Sequence, residues 1–328
     1  SRVANGSYSE HVELEQALAA HCGYERALLF STGFMANLGT IAALAGRGDE
    51  VLQDKLNHAS LLDGALLSRA RLSRYRHADY HHLQQLLDVP ANGERLIVSD
   101  SIFSMDGDLA DVRRLSELSS EHNALLMIDD AHGFGTVGEN GRGAGDHQGC
   151  HDQIDVYFGT FAKAMATIGA FVAGEEDVIE FLRYNMRSQT FAKSLPMPLV
   201  VGARKRLEML RSQPEHKENL WKIATALQEG LRAEGFDLGV TNSCVTPVFL
   251  HGGLGEATNL TLDLRENYGI FCSIVVYPVV PKDTIMLRLI PTAIHTLEDV
   301  KYTIETFTKV KDKLFAGEYK SEKIASWA

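Results

Sequence analysis

Residues Ala124 to Lys163 read ALLMIDDAHGFGTVGENGRGAGDHQGCHDQIDVYFGTFAK, and they decide the fold class. ALLMIDD (Ala124–Asp130) and IDVYFGT (Ile154–Thr160) are short, continuous apolar runs ending in polar residues. A strand buried on both faces reads this way, whereas a half-exposed strand alternates apolar and polar. Working outward, RALLF (Arg26–Phe30) and LIVSD (Leu96–Asp100) repeat the pattern. Helix-length segments lie between the runs: Val12–Cys22, closed by Gly23, comes before the first, and Met35–Leu44 follows it. Such alternation implies an α/β fold with a mostly parallel sheet covered on both faces. Ligands of such sheets sit outside the carboxyl ends of the strands, so the residues just after each run are the ones to inspect.

The pattern changes near Pro214. Leu220, Ile223, Leu227 and Leu231 follow helical spacing, and Gly235 closes that helix. Strand-like CVTPVFL (Cys244–Leu250) and GIFCSIVVYPVV (Gly269–Val280) come next. A last amphipathic helix carries Leu297, Val300, Ile304, Phe307, Val310 and Leu314, with Thr296 and Asp299 spaced as a capping box. The expected division is a large domain over 1–213 and a smaller α/β domain over 214–328, with GEYKSEKIASWA (Gly317–Ala328) as a loose tail.

Composition narrows the function. The 328 residues carry a net charge of −11, which argues against binding along a nucleic-acid backbone or on an anionic membrane surface. The 45% apolar and 23% charged residues are values of a folded globular chain. Cys22, Cys150, Cys244 and Cys272 form no CxxC pair, which points to a reducing cytoplasm rather than to a zinc or disulfide scaffold. The charge-free stretch Ala27–Gly46 has the 20-residue length of a membrane span, yet Ser31, Thr32, Gly33, Asn37 and Thr40 make it strand, turn and buried helix. No signal peptide is visible, and Ser1 without a preceding Met suggests a missing N-terminal segment.

Three groups of polar residues stand at the strand ends. Asp129-Asp130-Ala131-His132 closes one run, and Thr160-Phe161-Ala162-Lys163 closes the next. A carboxylate, an imidazole and an amine at adjacent strand ends suit an aromatic aldehyde cofactor. The amine would form the Schiff base, and the carboxylate would pair with a pyridinium nitrogen. Lys163 is the only charge in FGTFAKAMATIGAFVAG, which predicts a desolvated amine with a lowered pKa rather than an ordinary surface lysine. Thr32-Gly33-Phe34 would present backbone N–H groups at a helix start, a phosphate cradle that an ordinary strand-to-helix turn would also resemble. His58 offers a ring for stacking. Gly133-Phe-Gly135-Thr-Val-Gly138 matches the dinucleotide GxGxxG, but it runs on into glycine-rich loop instead of a helix and supports a nicotinamide enzyme only weakly. His77, His81 and His82 read as a solvated face rather than a metal site.

Together the stretches LLFSTGFMANLG, DKLNHASLLDG, SIFSMDGDLA, LMIDDAHGFGTVGENGRG, FGTFAKAMA, SLPMP and IMLRLIPTAIH resemble the α-oxoamine synthase family of PLP-dependent enzymes with the type I aminotransferase fold. The resemblance runs from Ser1 to about Leu314. It implies pyridoxal 5′-phosphate on Lys163, with Asp129 at the ring nitrogen, Ala131 beneath the ring, and His132 and Ser104 at the 3′-oxygen. It implies phosphate binding by Gly33, Phe34 and Thr160, ring stacking and substrate contact by His58, and the amino-acid carboxylate on Arg288. The implied reaction joins an α-amino acid to an acyl-CoA with loss of CO2, in a homodimer.

The part up to about Gly149 is most similar to 8-amino-7-oxononanoate synthase, which uses L-alanine and a pimeloyl thioester. From about Ile154 the chain is nearer serine palmitoyltransferase-like members. Glycine C-acetyltransferase chemistry and an inactive partner subunit are the alternatives. Three departures stand out. Ala192 replaces a hydroxyl residue that reaches the other subunit's phosphate, leaving Lys193 or Ser194 as substitutes. Val276 stands where bacterial serine palmitoyltransferases carry a second arginine. The family's N-terminal arm has no counterpart before Ser1.

Overall fold

The computed structural model describes residues 1–320. The chain divides into two compact units. The first holds Ser1–Phe103 and Leu109–Pro214, and the second holds Ser104–Asp108 and the residues from Glu215 onward. The short excursion at 104–108 has no counterpart in the sequence reading, because no composition change marks it.

Seven strands form the sheet of the first unit: β1 (Arg26–Phe30), β2 (Glu50–Asp54), β3 (Arg71–Tyr75), β4 (Arg95–Asp100), β5 (Leu125–Asp129), β6 (Val156–Thr160) and β7 (Ala170–Gly174). Their order is β1-β7-β6-β5-β4-β2-β3. The pairs from β3 through β6 are parallel, while β7 runs antiparallel to both β6 and β1. Six strands therefore share one direction, and their carboxyl ends lie along one edge. Phe30, Val51, Val98, Met127, Phe158 and Val172 join Ala36 and Ile41 of the helix Gly33–Leu44 in one buried cluster. Each such side chain contributes roughly 1.5–3 kcal/mol when withdrawn from water.

β2 and β3 escaped the sequence reading. EVLQD and RLSRY lack a continuous apolar run because Glu50, Gln53 and Asp54 are buried polar residues, Glu50 accepting from Ser73 and Asp54 from Ala78 N. β7 is a further strand, and it explains the apolar flank of Lys163. The run is apolar because β6 and β7 are both fully buried, while Lys163 itself lies in their connection and is exposed. The expected desolvated lysine is thus corrected: the burial belongs to the strands.

In the second unit, β8 (Thr246–His251), β9 (Ser273–Val275) and β10 (Thr284–Leu289) form an antiparallel sheet in the order β8-β10-β9. Helices Glu215–Ala233, Leu254–Tyr268 and Leu297–Phe315 bury Ile223, Leu227, Leu260, Phe307 and Val310 with Val248 and Leu287. The Thr296–Asp299 capping box forms, with reciprocal bonds of 3.2 and 2.8 Å. GIFCSIVVYPVV yields only the three residues of β9, since Pro278 and Pro281 cannot donate to a ladder. Of the expected loose tail, Tyr319 is buried and donates to Asp263 Oδ2 at 2.5 Å, and residues 321–328 lie outside the described residues. Among the described residues no helix is long and apolar enough to cross a membrane.

Candidate active site

The shared edge of β1, β2, β4, β5 and β6 gathers the residues that follow them. Thr32 caps the helix Gly33–Leu44, its hydroxyl accepting from Met35 N at 3.3 Å. Gly33 and Phe34 open that helix, where backbone N–H groups have no intrahelical partner and attract anions. A Cβ on Gly33 would stand 3.0 Å from Phe158 Cζ and 3.5 Å from Thr160 Oγ1, so glycine keeps the space between this helix start and the end of β6 open. Thr160 is buried, and its hydroxyl donates to Gly169 O at 3.2 Å.

Asp129 ends β5 at 2% exposure. Its Oδ1 accepts from Ala131 N at 3.0 Å, and its Oδ2 accepts from Asn37 Nδ2 at 2.6 Å. Burial pushes its pKa from 3.8 up to about 6, against the hydrogen bonds and the Lys163 charge, which favour the ionised form. Lys163 Nζ lies 3.3 Å from His132 Nε2. His58 caps the helix Ala59–Ser68 with its Nδ1, and its backbone N–H donates to Asp100 Oδ2 at 2.6 Å. Partial loss of water and the positive Lys163 lower the His58 pKa. The Phe34 and His58 rings meet edge to face at 6.4 Å. Asp100 sits fully withdrawn from water near the Asp129 and Asp54 carboxylates, which holds its pKa well above the usual range.

The first unit thus brings together Gly33, Phe34, His58, Asp129, Ala131, His132, Thr160 and Lys163. Ser194 belongs to the same unit. It lies beside Gly6 and lines a small cavity with Ser31, whose hydroxyl donates to Lys193 O at 2.5 Å. Ser104 and Arg288 belong to the second unit, where Arg288 donates through a terminal guanidinium N–H to Ser104 O at 2.7 Å. The Arg288 Nε is buried without a hydrogen-bond partner.

Sequence reasoning missed Asn37, Ser60 and Asp100. The available signal was a polar residue inside an apolar helix, since Asn37 interrupts GFMANLGTIAAL and is 2% exposed. The histidine cluster disperses. His77 is no solvated residue, because its Nδ1 lies 3.0 Å from Asp54 Oδ1 and its ring packs on Phe103. The glycine run has a structural use. Asp130, fully buried, accepts from Ser101, Tyr157 and Ala144 N, and Gly133 and Gly143 leave room where any Cβ would strike its carboxylate.

These groups fit pyridoxal 5′-phosphate. A buried carboxylate with two donors suits a pyridinium nitrogen, an amine stands beside an imidazole, and the glycine-opened helix start suits a phosphate. The model of the aminotransferase class I and II family matches residues 2–307, and the chain belongs to that family. It is a PLP-dependent acyltransferase of the α-oxoamine synthase type. A cysteate-C-fatty acyltransferase of Capnocytophaga ochracea is 45% identical over 98% of this chain and 78% of its own. An 8-amino-7-oxononanoate synthase of Saccharophagus degradans is 41% identical over 98% and 81%. A serine palmitoyltransferase structure from S. paucimobilis with bound PLP and myriocin superposes with a TM-score of 0.91 at 34% identity, over 96% of this chain and 80% of that one.

Proposed function

We propose that this chain joins an α-amino acid to the acyl group of an acyl thioester, releasing the thiol and CO2 and leaving an α-aminoketone. The observation that supports it most is the assembly of Lys163, His132, Asp129 and His58 at one sheet edge. PLP, when bound, supplies an electron sink for negative charge at the amino acid's α-carbon. The protein's own residues do the rest. Asp129 keeps the ring nitrogen charged, and its own ionised form is stabilised in return. Gly33 and Phe34 would hold the phosphate through backbone N–H groups with the Thr160 hydroxyl beside them, and Ser194 would reach the phosphate of the other subunit. Ala131 would lie beneath the ring and His132 would contact its 3′-oxygen, a role the family resemblance also gives to Ser104. Lys163 Nζ would hold the cofactor and, as a free amine beside the α-carbon, would carry the α-proton. Arg288 binds the amino-acid carboxylate, a reading its unpartnered Nε supports.

The first substrate pair is L-alanine with a pimeloyl thioester. A second pair is L-cysteate with a fatty acyl thioester, which the 45% identical relative favours, or L-serine with a palmitoyl thioester, which the serine palmitoyltransferase structure favours. The reading includes a homodimer, and a cytoplasmic location that the four free cysteines support. The test begins with the visible spectrum. The protein should absorb near 420 nm, roughly where PLP bonded to a lysine does, and lose the band to borohydride. A colourless protein that takes up no added PLP overturns the proposal. Thiol release with L-alanine, L-serine and L-cysteate against pimeloyl and palmitoyl thioesters then selects the pair.

A further inference from the structure

The hydrogen bonds around His58 admit only one arrangement of protons. His58 Nδ1 lies 3.3 Å from Ser60 N, and a backbone N–H can only donate, so Nδ1 accepts. The same Nδ1 lies 2.8 Å from Ser60 Oγ. Asn37 Nδ2 stands 3.0 Å from Ser60 Oγ and 2.6 Å from Asp129 Oδ2, so its two hydrogens serve those two acceptors. Ser60 Oγ therefore accepts from Asn37, and its own hydrogen points to Nδ1. An ionised carboxylate only accepts, which fixes the amide: turned over, Asn37 would face Asp129 with oxygen against oxygen. The amide keeps this orientation although its Oδ1 is buried without a partner. The relay depends on a close helix contact. A Cβ on Gly64 would sit 3.1 Å from Ile41 Cβ and 3.2 Å from Leu38 Cα, so glycine lets the helix bearing Ser60 approach the helix bearing Asn37.

We propose that Asn37 is a positioning residue that links Asp129 to His58 through the Ser60 hydroxyl and holds neutral His58 with its proton on Nε2. The ring-nitrogen partner and the stacking histidine then form one unit, and His58 offers a neutral N–H donor for a substrate carboxylate or carbonyl oxygen. That use rests on the function proposed above, but the imidazole proton can be read without turnover. Long-range proton–nitrogen correlation spectra of the full chain, with and without PLP, test it, and His58→Gln assigns the signal. The expected result is a protonated Nε2 and an unprotonated Nδ1 in both samples. A proton on Nδ1 in either overturns the proposal.

Asn37→Asp is isosteric and has no N–H for Ser60. The serine hydroxyl should turn to Asp at position 37, and its oxygen should then accept from Nδ1–H against the standing Ser60 N–H, moving the tautomer ratio measurably, by up to about tenfold, toward Nδ1–H. In a Ser60→Ala background the same substitution should move nothing. A folded Asn37→Asp protein that keeps the wild-type ratio overturns the role of Asn37. Should that variant fail to fold, the unmutated spectrum still decides the tautomer.

Discussion

Replacing Asp129 by Asn should stabilise the cofactor-free protein, and only at the pH where the carboxylate would be charged. Asp129 is 2% exposed, and its pKa rises from 3.8 to about 6, chiefly through burial. A shift of that size in a buried group corresponds to about 3 kcal/mol. Between those two values the folded protein holds a proton that the unfolded chain has released, so stability falls as pH rises through this window. Below it the cost is absent, and above it the cost is complete. Asparagine has no charge to desolvate. It would set an amide against Asn37 Nδ2, but Asn37 can turn its unpartnered Oδ1 toward it and keep a hydrogen bond. The stability difference, variant minus wild type, should therefore grow by up to about 3 kcal/mol from pH 4 to pH 7. Urea unfolding of both apo proteins by circular dichroism at stepped pH measures it. Asp130, shifted to about 6 as well, and Asp100 are both raised in part by the Asp129 charge, so the substitution relieves them too and adds to the difference in the same direction. A difference that does not change with pH refutes the reasoning. In the PLP-loaded wild type the slope should disappear, because a pyridinium cation offsets the cost of ionising Asp129.

Lys163→Ala should still bind PLP but leave no borohydride-fixed adduct, and a mass increase on that variant after reduction would contradict the assignment. Gly33→Ala places a Cβ 3.0 Å from Phe158 and 3.5 Å from Thr160 Oγ1. It should weaken PLP affinity about tenfold, while apo stability changes by about 1 kcal/mol or less, both measurable by titration and melting. Arg288→Ala should raise KM for the amino acid by about 10- to 100-fold with a smaller effect on kcat, and steady-state kinetics showing the reverse would remove it from carboxylate binding. Gly143→Ala forces a side chain into the Asp130 carboxylate at φ 109°, and should cost about 3 kcal/mol or more in chemical denaturation, whatever its effect on activity.

The central strands were legible because a strand covered on both faces leaves an uninterrupted apolar run. RALLF and the runs ending at Asp100, Asp129 and Thr160 all became strands of the first sheet. β2 and β3 were not, since Gln53, Asp54 and Ser73 bury polar groups and break the run. The same distinction governs the site. Lys163, Asp129, His132 and His58 follow apolar runs or stand in recognisable motifs, and that is why the sequence nominates them. Asn37, Ser60 and Asp100 act by hydrogen bonding across elements, and nothing in their spacing records which strand or helix they will meet. The glycine loop shows the opposite error: GFGTVG has the outline of a nucleotide motif, but its spacing serves a buried carboxylate.

β7 has a further consequence. Because it returns antiparallel beside β6, the segment bearing Lys163 is a short connection between two central strands instead of a long crossover. Both ends of that segment are pinned in the core, so the amine explores only the sphere its own four methylenes allow. An amine held this way would keep a high effective concentration at any atom bound beside it, far above what a free amine could reach. In the function proposed above, one tethered nitrogen would act first as an anchor and then as a proton carrier from the same short connection.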